Sequence, residues 1–329
     1  MRGYLARMGA IVGASVLLVT AVFAPDAAWG QPTGQRGGPS EPLPIHRLGE
    51  GIYGIQGDDV VPGAPRGSMN TGVVVGDDGV FVFGCNDENF NARLAAIRTV
   101  TDKPIRWSAN GHMASDDSGC NPELRAMGAT LFGSTLMREH YLEWMPARIA
   151  LGMSTPQGRA RFDGRPMAPP DVTFDEEMVL HLGEGRRVHL QWMGTGHTVG
   201  DTVAYMPEQG VLFTADLLFV ELHPTVRDGD SRNWQRILDR MMGWDVRWIV
   251  PGHGRVVQGK DSLAALSRYY DWMREQVRAG MQWGLRPQEI LEQLDRGEFA
   301  SWGRTDAMFE TVETLYHELE AEGVRAGGG

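Results

Sequence analysis

The chain has 329 residues, 42% of them hydrophobic and 22% charged, with a formal net charge of −11. That length is ample for one large domain or two small ones with a buried core. The acidic balance argues against nucleic acid or an anionic membrane as partner, and two cysteines cannot build a cysteine-rich zinc site.

Residues 1–30 read as an export signal. Arg2 and Arg7 form a basic flank, Ile11 to Phe23 is an apolar run too short to favour a membrane span, and Ala28-Trp29-Gly30 ends in a small residue suited to cleavage. A retained membrane anchor is the alternative. Export predicts a periplasmic or secreted protein that begins near Gln31 and keeps no membrane attachment once the signal is removed. Losing Arg2, Arg7 and Asp26 makes the remaining chain one charge more negative. Residues 31–43 are Gly/Pro-rich and read as a disordered lead-in.

Ile52 to Ile55 and Gly72 to Val75 read as short strands, with a Gly/Pro-containing loop over 58–69 between them. Asp77-Asp78-Gly79 is a turn signal before Val80 to Phe83, so 71–84 is a hairpin. Leu94, Ile97 and Val100 lie at helical spacing within 89–100. Ile105 to Ala109 is a buried strand that delivers Asn110-Gly111-His112-Met113-Ala114-Ser115-Asp116-Asp117, and a helix is expected to start at Ser118. A strand over 129–132 and a helix over 135–145 follow, then a long loop over 152–170 without periodic pattern. Residues 178–182 and 188–192 alternate as half-buried strands do. Val203 to Met206 and Val211 to Phe213 flank a turn. Ser231 to Met242 is helical, with Trp234, Ile237, Leu238 and Met241 on one face, and Trp248 to Val250 is a strand leading to His253. Three helices close the chain: about 261–281 with Asp261 as N-cap, 287–296 with Pro287 at its first position, and 306–322. Strand-and-helix modules in two successive halves imply two sheets packed face to face, helices outside, and a site along one edge.

A histidine and two carboxylates on one loop after a strand suit chemistry. A polar turn with an aspartate cap explains that loop equally well when it stands alone. Three later stretches shift the balance: Gly194-Thr195-Gly196-His197-Thr198, Phe213-Thr214-Ala215-Asp216 and Pro251-Gly252-His253-Gly254. Each ends an apolar, β-rich run. No G-x-S-x-G elbow or phosphate loop is present. Imidazole and carboxylate ligands suit zinc, iron or manganese, and such a metal brings the pKa of bound water to about 7.

These stretches resemble the metallo-β-lactamase superfamily over roughly 45–260. Asn70 to Val80 is similar to its opening hairpin, Gly194 to Thr202 to its third-histidine motif, Leu212 to Asp216 to its bridging-aspartate strand, and Pro251 to Gly254 to its last histidine. The tail, with Trp302 and Tyr316 to Glu320, is similar to exported cyclase-like and quinoprotein-relay-like members. The resemblance implies an αββα sandwich over 44–260 with an appended C-terminal helical extension over 261–329. The departure lies in the first motif. Where the family has His-x-His-x-Asp-His, this chain has His112-Met113-Ala114-Ser115-Asp116-Asp117, with Ala114 and Asp117 in place of two histidines.

By resemblance, site one would hold His112, His197 and the bridging Asp216, and site two Asp116, Asp117, His253 and Asp216. The added carboxylate and the lost imidazole move the preference from zinc towards iron or manganese. Site one is then also the two-histidine, one-carboxylate triad of non-haem Fe(II) enzymes, which the family's persulfide dioxygenases use. In that fold the strand ends after Phe83 and before Cys120 open on one edge, which allows a Cys85–Cys120 bridge; two free thiols near the site are the alternative. His223, shortly after the Asp216 strand, is a candidate to line the substrate pocket. Structural roles compete: Asp117 capping a helix, Asp116 bonding its own loop's amides, His197 and His253 held in turns. Three functions follow. The first is a periplasmic metallo-hydrolase of an ester, lactone or amide in a small molecule, with Asp116 orienting the water. The second is a mononuclear iron enzyme acting on a thiol or persulfide. The third is a degenerate member that binds without turnover.

Overall fold

The structure is a computed structural model and describes residues 41–57, 69–183, 185–226 and 229–324. The export signal, most of the lead-in, the loop 58–68 and residues 325–329 lie outside the described residues.

Among the described residues seven strands form one sheet in chain order: β1 (Ile45–Gly49), β2 (Ile52–Ile55), β3 (Thr71–Val75), β4 (Val80–Phe83), β5 (Ile105–Ala109), β6 (Thr130–Ser134) and β7 (Val172–Phe174). Strands β1 to β4 form an antiparallel meander, and β4 to β7 run parallel. The second sheet holds β8 (Glu177–His181), β9 (Arg187–Trp192), β10 (Thr202–Met206), β11 (Val211–Phe219), β12 (Trp248–His253) and β13 (Val257–Gln258). Here β11 and β12 are the parallel pair.

The sequence alternation sets the layers. In β4, Phe81 and Phe83 enter the core between the sheets, where Phe213, Ala204 and Val250 meet them from the second sheet. Val80 and Val82 face the other way, towards Ala96 and Ile97 of α1 (Phe90–Arg98) and Leu124 of α3 (Asn121–Ala126). Side chains that alternate in this way bury both faces of a sheet. Gly72 allows the sheets to close: a Cβ there would stand 2.1 Å from the Phe213 ring. On the far side, α6 (Ser231–Met242), α7 (Asp261–Gln282) and α9 (Met308–Ala321) share one apolar cluster with β11, joining Trp234, Leu266, Tyr269 and Leu315 to Leu217 and Phe219. The tail therefore packs on the strand that carries Asp216. A shorter helix, α8 (Pro287–Gln293), starts with Pro287 at its first turn as expected.

Three local expectations give way. The helix from Thr135 does not stop before Pro146 but continues to Met153 as α4. Pro146 and Leu142 are both exposed, so the carbonyl that loses its helical partner faces solvent. Where a long loop was expected, Thr155 caps α5 (Pro156–Phe162) through the Gly158 amide at 3.0 Å. Gly152 lets that helix fold back, since a Cβ there would meet the Phe162 ring at 2.4 Å. At α7 the N-cap is Lys260 and Asp261 lies in the first turn, where its charge favours the helix dipole. No helix among the described residues is long and apolar enough to cross a membrane.

Cys85, just after β4, is disulfide-bonded to Cys120, just before α3, with Cα atoms 5.4 Å apart and a sequence separation of 35. Closing a loop of that length removes roughly 3–4 kcal/mol of freedom from the unfolded chain. Cys85→Ser with Cys120→Ser is therefore expected to lower stability by about that amount in denaturant melts. A variant as stable as the oxidised wild type would contradict a structural role for the bridge.

Candidate metal centre

Four segments converge at one edge of the sandwich, and each has its own scaffold. The His112 loop leaves β5 and passes through α2 (Ser115–Ser118), so the helix expected at Ser118 begins earlier, with Ala114 as N-cap. The His197 turn joins β9 to β10. Asp216 lies within β11, and His253 ends β12. Backbone bonds stitch the two sheets together here: Thr202 N donates to Gly111 O at 2.8 Å, and Asn70 N to Gly252 O at 2.8 Å. The Asn70 side chain also donates to Pro251 O at 2.9 Å and Gly254 O at 2.8 Å, so the residue before β3 holds the His253 turn directly.

Asp216 reaches the centre through a break in its strand. Pairing of β11 with β12 shifts register on both sides of Ala215, and Ala215 takes a left-handed φ of 47°. For a non-glycine residue that conformation costs about 1–3 kcal/mol, and such strain clusters at functional sites. Gly252 leaves the room, because a Cβ there would lie 2.2 Å from Asp216 Oδ1.

The side chains form two groups that share Asp216. Oδ2 of Asp216 lies 3.6 Å from His112 Nε2 and 3.5 Å from His197 Nε2. Oδ1 lies 3.3 Å from His253 Nε2, which is itself 3.5 Å from Asp116 Oδ2. The donor sets His112–His197–Asp216 and Asp116–Asp216–His253 could each hold one metal ion. Most of these separations are long for hydrogen bonds. They match the edge of a tetrahedron: donors roughly 2.0–2.2 Å from a zinc ion stand about 3.3–3.6 Å apart.

Electrostatics demand positive charge at this place. Burial favours the neutral form of His112, but the Asp216 carboxylate, followed by Asp117 and Asp116, outweighs it and raises the imidazolium pKa to about 10. Burial also works against ionised Asp216, yet His253 and His112 hold its carboxyl well below the usual range. Asp116 is lowered in the same way, against burial, by its bond to His253. Histidine protons fill the role that a cation would fill in the same cluster. His197 is oriented for that exchange: its Nδ1 faces Thr225 O at 3.0 Å, which fixes the proton there and leaves Nε2 as the ligand atom.

Asp117, expected as a ligand of site two, lies in neither group. Its Oδ1 accepts from Asn110 Nδ2 at 3.0 Å, and its Oδ2 from Gly111 N at 2.9 Å and His112 N at 3.3 Å. It stands 3.9 Å from His112 Nε2. The amide-bonding role considered for Asp116 thus falls to its neighbour. Burial raises the Asp117 carboxyl to about 7, against His112 and these donors. Ala114 packs on the cluster of Met113, Met137, Tyr141 and Met145. His223, considered for the pocket lining, is fully buried under the tail, with Nδ1 3.2 Å from Tyr269 Oη. Burial, then Arg296, lowers its pKa to about 4.

Sequence reading assigned no role to Asp201 or Asn70. Asp201 accepts from the amides of Gly196, His197 and Thr198, at 3.1, 2.5 and 3.0 Å, and shapes the His197 turn. Its position four residues after His197, before a β-rich run, is the signal that was available. Phe219 was also missed: its ring stacks on His253 at 4.9 Å.

Residues 123–253 match the family model described as the metallo-beta-lactamase superfamily. That span includes His197, Asp216 and His253 and begins after the His112 loop. The chain has the metallo-β-lactamase fold. It is similar to the stereoselective inverting sec-alkylsulfatase Pisa1 from Pseudomonas sp., at 18% identity and a TM-score of 0.63, over 84% of this chain and 50% of that one. The chain thus spans about half the length of the alkylsulfatase. It is also similar to a metallo-beta-lactamase family protein from Thermus thermophilus, at 20% identity and a TM-score of 0.62, over 84% and 95% of the two chains. The metallo-beta-lactamase from Pontibacter korlensis matches at 18% identity and a TM-score of 0.56, over 70% and 99%. No curated protein matches the sequence significantly. These neighbours agree with the two-sheet architecture.

The two adjacent aspartates should respond differently. Asp117→Ala strands three buried donors and is expected to cost about 1–3 kcal/mol in the metal-free protein. Asp116→Ala should leave that melting temperature near wild type while lowering metal uptake. Equal melting temperatures for the two variants would contradict the division of roles.

Proposed function

We propose that the protein is an exported metal-dependent hydrolase of an ester, lactone or amide bond in a small molecule. The observation that carries this reading is the second donor group. Asp116 and His253 complete a set around Asp216 that a mononuclear centre would not need. When bound, the metal ions would polarise the substrate carbonyl and lower the pKa of water. Zinc, iron or manganese suits the donor set.

The chain's own residues supply position and proton transfer. His112, His253 and Asp216 are almost fully buried, whereas the side chains of Asp116 and His197 are 23% and 12% exposed. Substrate therefore approaches on the side of Asp116 and His197. Asp116, ionised at neutral pH and held by His253, is placed to accept the proton of the attacking water and pass it to the leaving group. Asp117 keeps the loop rigid, so that Asp116 holds this direction.

The first group alone, with two histidines and one carboxylate, supports a second reading: a mononuclear Fe(II) enzyme acting on a thiol or persulfide. Metal content separates the two. The hydrolase reading expects two metal ions per chain and turnover within a panel of esters, lactones and β-lactams. It also expects Asp216→Ala to lose both ions and all turnover, because both groups lose a donor. One iron per chain in the wild type would favour the second reading, and unchanged stoichiometry in Asp216→Ala would contradict both.

A further inference from the structure

The tail meets the segment that follows β11. Leu222, after β11, pairs with Gly303 as a parallel bridge. His223 N donates to Gly303 O and Gly303 N to Glu221 O, both at 2.9 Å. Each segment contains a non-glycine residue with a left-handed backbone: Glu221 at φ 56° and Arg304 at φ 57°. Strain of this kind persists only where the surroundings impose it. Here it sets the Arg304 guanidinium over the Phe219 ring, 5.1 Å from its centroid. Phe219 stacks on His253 and lies 6.2 Å, ring to ring, from His197. One phenyl ring links Arg304 to two metal-ligand candidates.

Arg304 has no hydrogen bond or ion pair among the described residues, and its Nε and Nη1 are buried. Other inward arginines are paired: Arg165 with Asp87 and Glu123, Arg274 with Glu318. Across the bridge, His223 Nε2 is likewise buried without a hydrogen-bond partner. Arg304 is half-buried, so part of its guanidinium still meets water, while the two shielded nitrogens gain most from a ligand that supplies acceptors and negative charge. In a chain of net charge −11, a local positive group favours the approach of an anionic substrate.

We propose that Arg304 is a specificity-determining residue that binds an oxyanion carried by the substrate, a carboxylate or a sulfate, beside the metal centre. The inference rests on the reading of the two donor groups as a metal site. A guanidinium matches such oxygens with several N–H donors, and holding a remote anion fixes the scissile bond over the reacting groups.

The test uses zinc-loaded full-length protein, titrated with sodium acetate or sodium sulfate at ionic strength held constant with sodium chloride, and followed by thermal shift. Four proteins are compared: wild type, Arg304→Met, Arg304→Lys and Arg255→Gln. Methionine keeps an apolar stem over Phe219, lysine keeps the charge without the fork, and Arg255 is an exposed arginine paired with Glu221. Saturable stabilisation of the wild type is expected, with the apparent Kd raised at least tenfold in Arg304→Met, raised less in Arg304→Lys, and unchanged in Arg255→Gln. Response to acetate alone identifies carboxylate-bearing substrates, and response to sulfate alone identifies sulfate esters. Equal titrations for wild type and either Arg304 variant, or no saturable response in the wild type, would overturn the proposal. Zinc per chain is counted in each protein. Failure to take up zinc would overturn the metal reading, and the inference with it, through that count and not through the titration.

Discussion

The carboxylate of Asp216 is the contact on which the centre depends. It is buried, and it faces imidazoles on both sides, Oδ2 towards His112 and His197 and Oδ1 towards His253. An ionised carboxylate in that position is tolerated only with compensating positive charge. Much of the nearby architecture serves to bring the compensating groups to it. The strand break at Ala215 turns it inward, the missing Cβ of Gly252 makes room, and Asn70 fixes the His253 turn from the opposite sheet. The second sheet supplies His197 to one oxygen and His253 to the other, and the loop after β5 of the first sheet adds His112 and Asp116, one to each group.

The loops differ in what holds them. Asp201 organises the His197 turn and Asp117 organises the His112 loop, each by collecting backbone amides. Both are buried acids whose pKa burial raises. Their cost is offset by the order they impose on adjacent histidines, since an imidazole ligand is useful only if its ring is held in one orientation. The Cys85–Cys120 bridge adds a covalent tie at the base of the same loop.

Much of this was legible in the sequence. The hairpin turn at Asp77-Asp78-Gly79, the amphipathic face of 231–242 and the glycine-flanked histidines at 197 and 253 carry local signals that survive folding, and they point to the two-sheet fold and to two of the donors. The choice between Asp116 and Asp117 was not legible. Adjacent residues on a helix point about 100° apart, and only the donors of Asn110, Gly111 and His112 decide which one turns away. The α4–α5 hairpin was not legible, because Pro146 and Gly152 sit where solvent or a neighbouring ring accommodates them. Arg304 carries no local signal at all: its place beside Phe219 exists only after the tail docks on β11.

The central claim is that Asp216 divides its two oxygens between two cation positions. Anomalous diffraction from crystals grown with zinc tests it most directly. The account predicts two peaks, one within bonding distance of Asp216 Oδ2, His112 and His197, the other of Asp216 Oδ1, Asp116 and His253, with Asp117 still on the loop amides. A single peak, or a zinc ion coordinated by Asp117 in place of Asp116, would contradict it.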